Sequence, residues 1–185
     1  MISARRKTTQ DVFVVLRRRS WPVLSWSAAL IFWGIYFGGL AGNAMRGGYH
    51  DLWLVLSVMC AATFLVRRVG SCRVMLSQKY MLIHNPLFVH SIPYSKVRAV
   101  QIGSGGGVEI ELRPEGEIRP FAYAGSLLDL FFKTNERAVA EIQKKVSVAP
   151  EDHDAELKRT VRRCWSSDIP LLLAIPAAAM AFLFS

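Results

Sequence analysis

The stretch WPVLSWSAALIFWGIYFGGLAGNAM, Trp21 to Met45, contains no charged residue. Coiled as an α-helix it would extend for about 37 Å, more than the roughly 30 Å of hydrocarbon in a bilayer. Such a helix has no water-compatible face, so lipid is its expected solvent and a transmembrane helix is predicted. Pro22 suits the first turn, where its missing N–H costs nothing. Trp21 and Trp26 stand at the end where indole rings favour the headgroup region. The competing reading is a cleaved signal peptide with Gly42 and Ala44 before the cut, but the apolar stretch is longer than the usual signal core.

Two further runs extend the pattern. Leu52 to Val66 would cover about 22 Å as a helix, and reaches across if Tyr49 and His50 lengthen it while Arg67 and Arg68 snorkel at the other end. The link NAMRGGYHD between these runs is short, so the two helices are expected to form an antiparallel hairpin. The third run, PLLLAIPAAAMAFLFS, gives about 31 Å when counted from Trp165 to Ser185. Asp168 is its predicted N-cap, Pro170 falls early enough to be tolerated, and Pro176 should bend it. A re-entrant or interfacial helix is the alternative for this last run. Mean hydropathy of +0.26 with 52% hydrophobic residues fits a chain partly dissolved in lipid.

The formal charge is +9, and the basic residues gather beside the apolar runs: Arg5, Arg6 and Lys7; Arg17, Arg18 and Arg19; Arg67 and Arg68; Lys158, Arg159, Arg162 and Arg163. The hairpin link carries only Arg46. By the positive-inside rule the N-terminus and residues 67 to 164 are expected in the cytoplasm, and the C-terminus outside. No recognition motif accompanies the charge, so nucleic acid is not an expected partner. The three cysteines, Cys60, Cys72 and Cys164, have no CxxC spacing and are expected to be free thiols. The histidines are scattered, so neither a metal nor a cofactor is expected.

Between the second and third runs the period falls to two. In VEIELR, Val108, Ile110 and Leu112 share one face while Glu109, Glu111 and Arg113 share the other, as in a half-buried strand. CRVMLS and KYMLIHN read as two strands joined around Gln78 and Lys79, with Asn85 and Pro86 ending the second. Phe88 to Tyr94, Lys96 to Ile102 and Glu117 to Tyr123 read as three more, which predicts an antiparallel meander or sandwich. TNERAVAEIQKKV then places Ala138, Val139, Ile142 and Val146 on one helical stripe, with Thr134 or Asn135 as N-cap. The intervening Leu127, Leu128, Leu130, Phe131 and Phe132 are expected to plug the sheet or touch the membrane.

The run IHNPLFVHSIPYSKVRAVQI resembles the small pleckstrin-homology-like domains of bacterial membrane proteins. Asn85, Pro86, Ile92, Pro93, Tyr94, Ser95, Lys96, Val97 and Val100 carry the resemblance, which covers roughly residues 70 to 146. It implies a two-sheet sandwich capped by a C-terminal helix and attached to membrane helices, without enzymatic activity. It does not imply phosphoinositide binding, because only Arg73 and Lys79 bracket the first hairpin.

Few motifs suggest chemistry. Gly103 to Gly107 lacks the GK[ST] ending of a phosphate-binding loop and precedes a strand, so it reads as a turn. Glu109, Glu111, Glu151, Asp152 and Asp154 have no His or Ser partner by spacing, and no catalytic site or small-molecule substrate is predicted. Gly34, Gly38 and Gly42 recur every fourth residue and form a smooth helix-packing face, suited to a second copy or to the chain's own small residues Ala61, Ala62, Ala174, Ala178 and Ala181. Arg67, Arg68, Arg73, Lys96, Arg98, Lys158, Arg159, Arg162 and Arg163 are candidate contacts for anionic headgroups; for Arg67 and Arg68 the simpler reading, that they only set topology, is preferred.

The expected class is therefore membrane α plus a small β domain: three transmembrane helices with a cytoplasmic pleckstrin-homology-like antiparallel β-sandwich capped by one C-terminal helix. Residues 1–20 form a basic cytoplasmic segment, 21–68 a transmembrane hairpin, 69–147 the β domain with its closing helix, 148–164 a linker and 165–185 the last transmembrane helix. The expected role is a docking or regulatory module in an oligomer or larger complex of the bacterial plasma membrane. The alternative is a sensor of anionic lipid headgroups at its inner surface. The partners expected are membrane lipids and a second copy or another membrane protein.

Overall fold

A computed structural model describes residues 14–17, 20–44, 50–114, 116–124, 134–148 and 156–183. The apolar runs form α1 (Ser20–Ala44), α2 (His50–Gly70) and a final helix, α4 (Trp165–Leu183), with α3 (Thr134–Val148) between the strands and α4. The segments Trp21–Gly42, Leu52–Gly70 and Trp165–Leu183 are each long and apolar enough to cross a bilayer. Their outward residues include Val23, Leu30, Ile31, Ile35, Leu54, Leu172 and Ile175, which water would not tolerate in such numbers but lipid does.

α2 packs against both other spans, most broadly against α4. Small residues permit that approach: Ala174, Ala177 and Ala181 of α4 are buried, and Ser57 donates to the Ala174 carbonyl at 3.1 Å. Ala178, expected as one filler of the α1 glycine groove, is exposed. α4 starts at Trp165, the expected bound, and continues as helix through Pro176. Asp168 is not its N-cap but lies in its first turn, where its carboxylate accepts the Cys164 N–H at 2.9 Å.

The strands are β1 (Val14–Leu16), β2 (Arg73–Leu76), β3 (Tyr80–His84), β4 (Phe88–Pro93), β5 (Val97–Ile102), β6 (Val108–Leu112), β7 (Glu117–Ile118) and β8 (Lys158–Val161). They form two antiparallel sheets, β1-β2-β3-β4-β8 and β5-β6-β7. Six of the eight fall within stretches read as strands, but of the expected strand Glu117 to Tyr123 only Glu117–Ile118 pairs, and Phe121–Tyr123 is a 3-10 turn. β1 and β8 lie outside such stretches: one comes from the basic N-terminal segment and the other from the stretch read as a linker.

Register brings the apolar positions onto shared inner faces. Val74 pairs with Ile83, Leu76 with Met81, and Met81 with Ile92 in the first sheet; Val100 pairs with Ile110 in the second. These residues join Val97, Val108 and Leu112, together with Ala138 and Ile142 of α3, in one core. Burying each large aliphatic side chain stabilises the fold by about 1.5–3 kcal/mol. The alternation in the sequence therefore brings the apolar positions of both sheets into one core, with α3 packed on β5 and β6.

Polar side chains close the ends of this core. Gln143 donates to the Val100 carbonyl at 2.8 Å and Asn135 to the Gly106 carbonyl at 2.6 Å. Tyr94, whose hydroxyl donates to the Ser77 carbonyl at 2.9 Å, has its pKa pushed up to about 12 by burial. Gly103–Gly107 is the β5–β6 hairpin turn, and Gly106, at φ 72°, occupies the left-handed region that suits glycine. The apolar group at Leu127–Phe132 lies outside the described residues.

Candidate functional site at the membrane junction

α2 does not stop at Val66, where its apolar run ends. It continues to Gly70 and carries Arg67 and Arg68 in its last turn. The continuation drives Arg68 into the protein, leaving it 8% exposed. A buried guanidinium needs acceptors on its planar fork. Arg68 finds the Pro86 and Arg162 carbonyls, both at 2.9 Å, and the Asp168 carboxylate at 2.6 Å.

Arg162, which follows β8, is 6% exposed and forms the second half of the junction. Its Nη2 donates to the carbonyl and hydroxyl oxygens of Ser71, both at 2.9 Å, and its Nη1 to the Asn85 carbonyl at 3.3 Å. Its backbone N–H reaches the Leu87 carbonyl at 2.9 Å. The turn Asn85-Pro86-Leu87 between β3 and β4 thus accepts bonds from both buried arginines. Asn85 also accepts the Phe121 N–H at 2.8 Å through its side chain, linking that turn to the 3-10 turn Phe121–Tyr123.

The two arginines join elements distant in sequence: the end of α2, the β3–β4 turn, the exit of β8 and the start of α4. A guanidinium that satisfies several carbonyls at once fixes orientation, because it cannot leave one acceptor without stranding a buried charge. The β region is therefore held to the spans by a buried polar network as well as by chain connectivity. An edge-to-face contact between Trp21 of α1 and Phe121, at 6.3 Å between rings, adds a second point of attachment.

α1 is fastened beside this junction. Arg17 donates to the Gly70 carbonyl at 2.9 Å, and Arg67 lies 3.7 Å over the Trp26 ring while donating to Ser25 Oγ at 3.3 Å. At Gly70 a methyl group would collide with the Ser25 side chain and come within 3.2 Å of the Trp21 carbonyl. Only glycine permits that crossing without displacement.

The charge balance here is uneven. Arg17, Arg67, Arg68, Arg73 and Arg162 gather around the junction, and among the described residues Asp168 is the carboxylate that pairs with any of them. Burial lowers the pKa of Arg17, and the charges of Arg73, Arg67 and Arg162 lower it further. Burial likewise lowers that of Arg162, with Arg73 and Arg68 acting in the same direction. His84, opposite Arg73 in register, is held neutral, with its pKa lowered to about 4 by burial and by the charges of Arg73 and Arg162.

Two thiols flank Arg162 and differ in character. Burial pushes Cys72 up to about 11. At Cys164 burial acts in the same direction, but hydrogen bonds from Ser166 and Ser167, the Arg162 charge and Ser71 outweigh it and bring the thiol to about 7. All three cysteines are free.

The sequence-derived candidates separate into three groups. Arg67, Arg68, Arg73 and Arg162 converge on the junction. Arg68 and Arg162 are buried, and their terminal nitrogens bond protein acceptors. Arg68 is also more than a topology signal. Lys158, Arg159, Arg98 and Arg163 are exposed and Lys96 is half-buried, away from that network; Arg159 lies 3.6 Å over the Phe88 ring. Gly34, Gly38 and Gly42 meet nothing within 4 Å of an added methyl, so the described α2 and α4 do not fill their groove.

Sequence reasoning missed Arg17 and Ser71, and took Asp168 for a cap. The available signal was the acid in the first turn of an otherwise uncharged span, since such residues pair with a partner when they occur. Comparison with family models, with curated proteins and with solved structures returns no match.

Proposed function

We propose that this chain is a non-enzymatic membrane protein that presents a pleckstrin-homology-like module, fixed in orientation on the cytoplasmic face of a bacterial plasma membrane, for docking inside an oligomer or larger membrane assembly. The observation that supports this reading is the buried Arg68–Asp168–Arg162 junction. A module that only needed to be tethered would be served by its flanking chain. A buried charged network instead favours a specified orientation, which matters when a surface must meet a partner at fixed height and angle.

The surface offered is the outer edge of the five-stranded sheet. β8 is its last strand, all four of its residues are exposed, and Val161 reaches 74% exposure. An unpaired strand edge accepts another strand through backbone hydrogen bonds. Lys158 and Arg159 on the same strand would select an acidic partner segment and deter indiscriminate pairing. The glycine face of α1 supplies the matching contact within the membrane. The cytoplasmic assignment rests on the basic clusters beside the spans.

A photoreactive residue at Thr160 in β8 tests the reading in intact cells, with the exposed α3 position Glu141 as control. The expected result is a discrete cross-linked product from Thr160, to a second copy or another membrane protein, that Glu141 does not give. Equal labelling from both positions would contradict docking at this edge. Gly38→Leu is expected to shift the native-gel mobility of the purified protein towards a smaller species; unchanged mobility would exclude the glycine face as an intermolecular contact.

A further inference from the structure

We propose that one anionic phospholipid of the leaflet carrying the β region binds between α1 and α2, its acyl chain in an apolar groove and its phosphate on Arg17 and Arg67. The groove has a volume of about 300 Å³ and is lined by Trp21, Leu24, Ala28, Leu65, Val66 and Val69. Its walls are the first turns of α1 and the last turns of α2, so it lies at the end of the spans that meets the β region. That volume is at the lower end of what proteins use for small apolar ligands, and suits a segment of one acyl chain rather than a whole lipid.

The charge beside the groove is what selects an anion. Ser25 and Gly70 complete the lining, and these same residues hold the two arginines: Arg67 bonds Ser25 Oγ and Arg17 bonds the Gly70 carbonyl. Both residues are half-buried, and each has a buried Nε without a partner among the described residues. Arg73 stands nearby with the same deficit. The neighbouring carboxylate, Asp168, is already committed to Arg68 and to the Cys164 N–H. An arginine cluster with so little compensation is repulsive, and a phosphate with several acceptor oxygens would relieve it. Neither the groove nor the cluster is the docking edge of β8, so this inference stands or falls separately from the proposed function.

The test uses the full chain in mixed micelles, with bound lipid counted by native mass spectrometry. Phosphatidylglycerol is expected to be retained one per chain in preference to phosphatidylcholine. Each arginine near a membrane surface is worth about fivefold in binding, so Arg17→Gln with Arg67→Gln should weaken retention about thirtyfold. Ala28→Trp, which fills the groove and leaves the charges in place, should weaken retention of the lipid but not binding of inorganic phosphate. Equal retention of the two lipids, or retention unaffected by both variants, would overturn the site. Inorganic phosphate competing as strongly as its lipid counterpart would overturn the acyl groove. Tryptophan fluorescence of each variant against the parent shows that a loss is not unfolding.

Discussion

Replacing Asp168 with asparagine keeps the shape of the side chain and removes its charge. Both groups that Asp168 serves are donors: the Arg68 guanidinium at 2.6 Å and the Cys164 N–H at 2.9 Å. An amide has one oxygen to offer and must aim its own N–H₂ at the other donor. Removing one partner of a buried ion pair costs about 3–5 kcal/mol. The cost here falls below that range, because the Asp168 side chain is 28% exposed and Arg68 keeps two carbonyl acceptors. About 2–3 kcal/mol is therefore expected. For a chain of this size that corresponds to a fall in unfolding midpoint of about 4–12 °C, measured in detergent at one fixed scan rate. Arg68→Met should cost at least as much. The double variant should cost clearly less than the sum, with a coupling of about 2 kcal/mol. An unchanged midpoint for Asp168→Asn, or strictly additive effects, would refute the view that this pair holds the spans to the β region.

Other expectations follow from neighbouring residues. His84 is neutral in the fold with a pKa near 4, against 6.5 in its absence. The unfolded chain takes up the proton first as pH falls, so stability is complete above pH 6.5 and declines between about 6.5 and 4. After discounting for its partial exposure the loss is at most about 2 kcal/mol, and His84→Gln should flatten that part of the pH–stability curve; an identical slope would show that His84 does not supply it. Cys164 should react with a maleimide at pH 8 while Cys72 and Cys60 stay protected, read by peptide mass mapping; modification of Cys72 at a similar rate would contradict its burial. Gly70→Val should separate α1 from α2 and lower the unfolding midpoint, whereas a raised midpoint would mean that the two helices do not cross closely there.

Much of the architecture is legible because lipid and sheet impose different periods on a sequence. The uncharged run from Trp21 and the alternation of Val108, Ile110 and Leu112 each announce their element locally. β1 and β8 do not. Val14-Val15-Leu16 is too short to show a period, and Lys158-Arg159-Thr160-Val161 reads as a basic linker. Each becomes a strand because an edge is waiting, on Val74–Leu76 for one and on Phe88–Ser91 for the other. Pairing across such separations leaves no local trace.

The junction was hidden for the same reason. Arg67 and Arg68 look alike in sequence, two basic residues closing an apolar run. They diverge because α2 continues for another turn, turning Arg67 onto Trp26 at the lipid boundary and Arg68 towards Pro86, Arg162 and Asp168. Asp168 lies one hundred residues from Arg68. Asn85 and Pro86 were readable as the end of a strand, but their carbonyls as acceptors for buried arginines depend on chain that arrives from both directions.

A fixed relation between module and spans is best tested by distance. Spin labels at Glu141→Cys on α3 and Ile35→Cys on α1, both exposed positions, would be measured by pulsed electron resonance in nanodiscs after replacement of Cys60, Cys72 and Cys164. A single narrow distance, broadened when Asp168→Asn is added, is the predicted result. A broad distribution in the parent protein, unaltered by that substitution, would mean that the β region swings freely on its tethers.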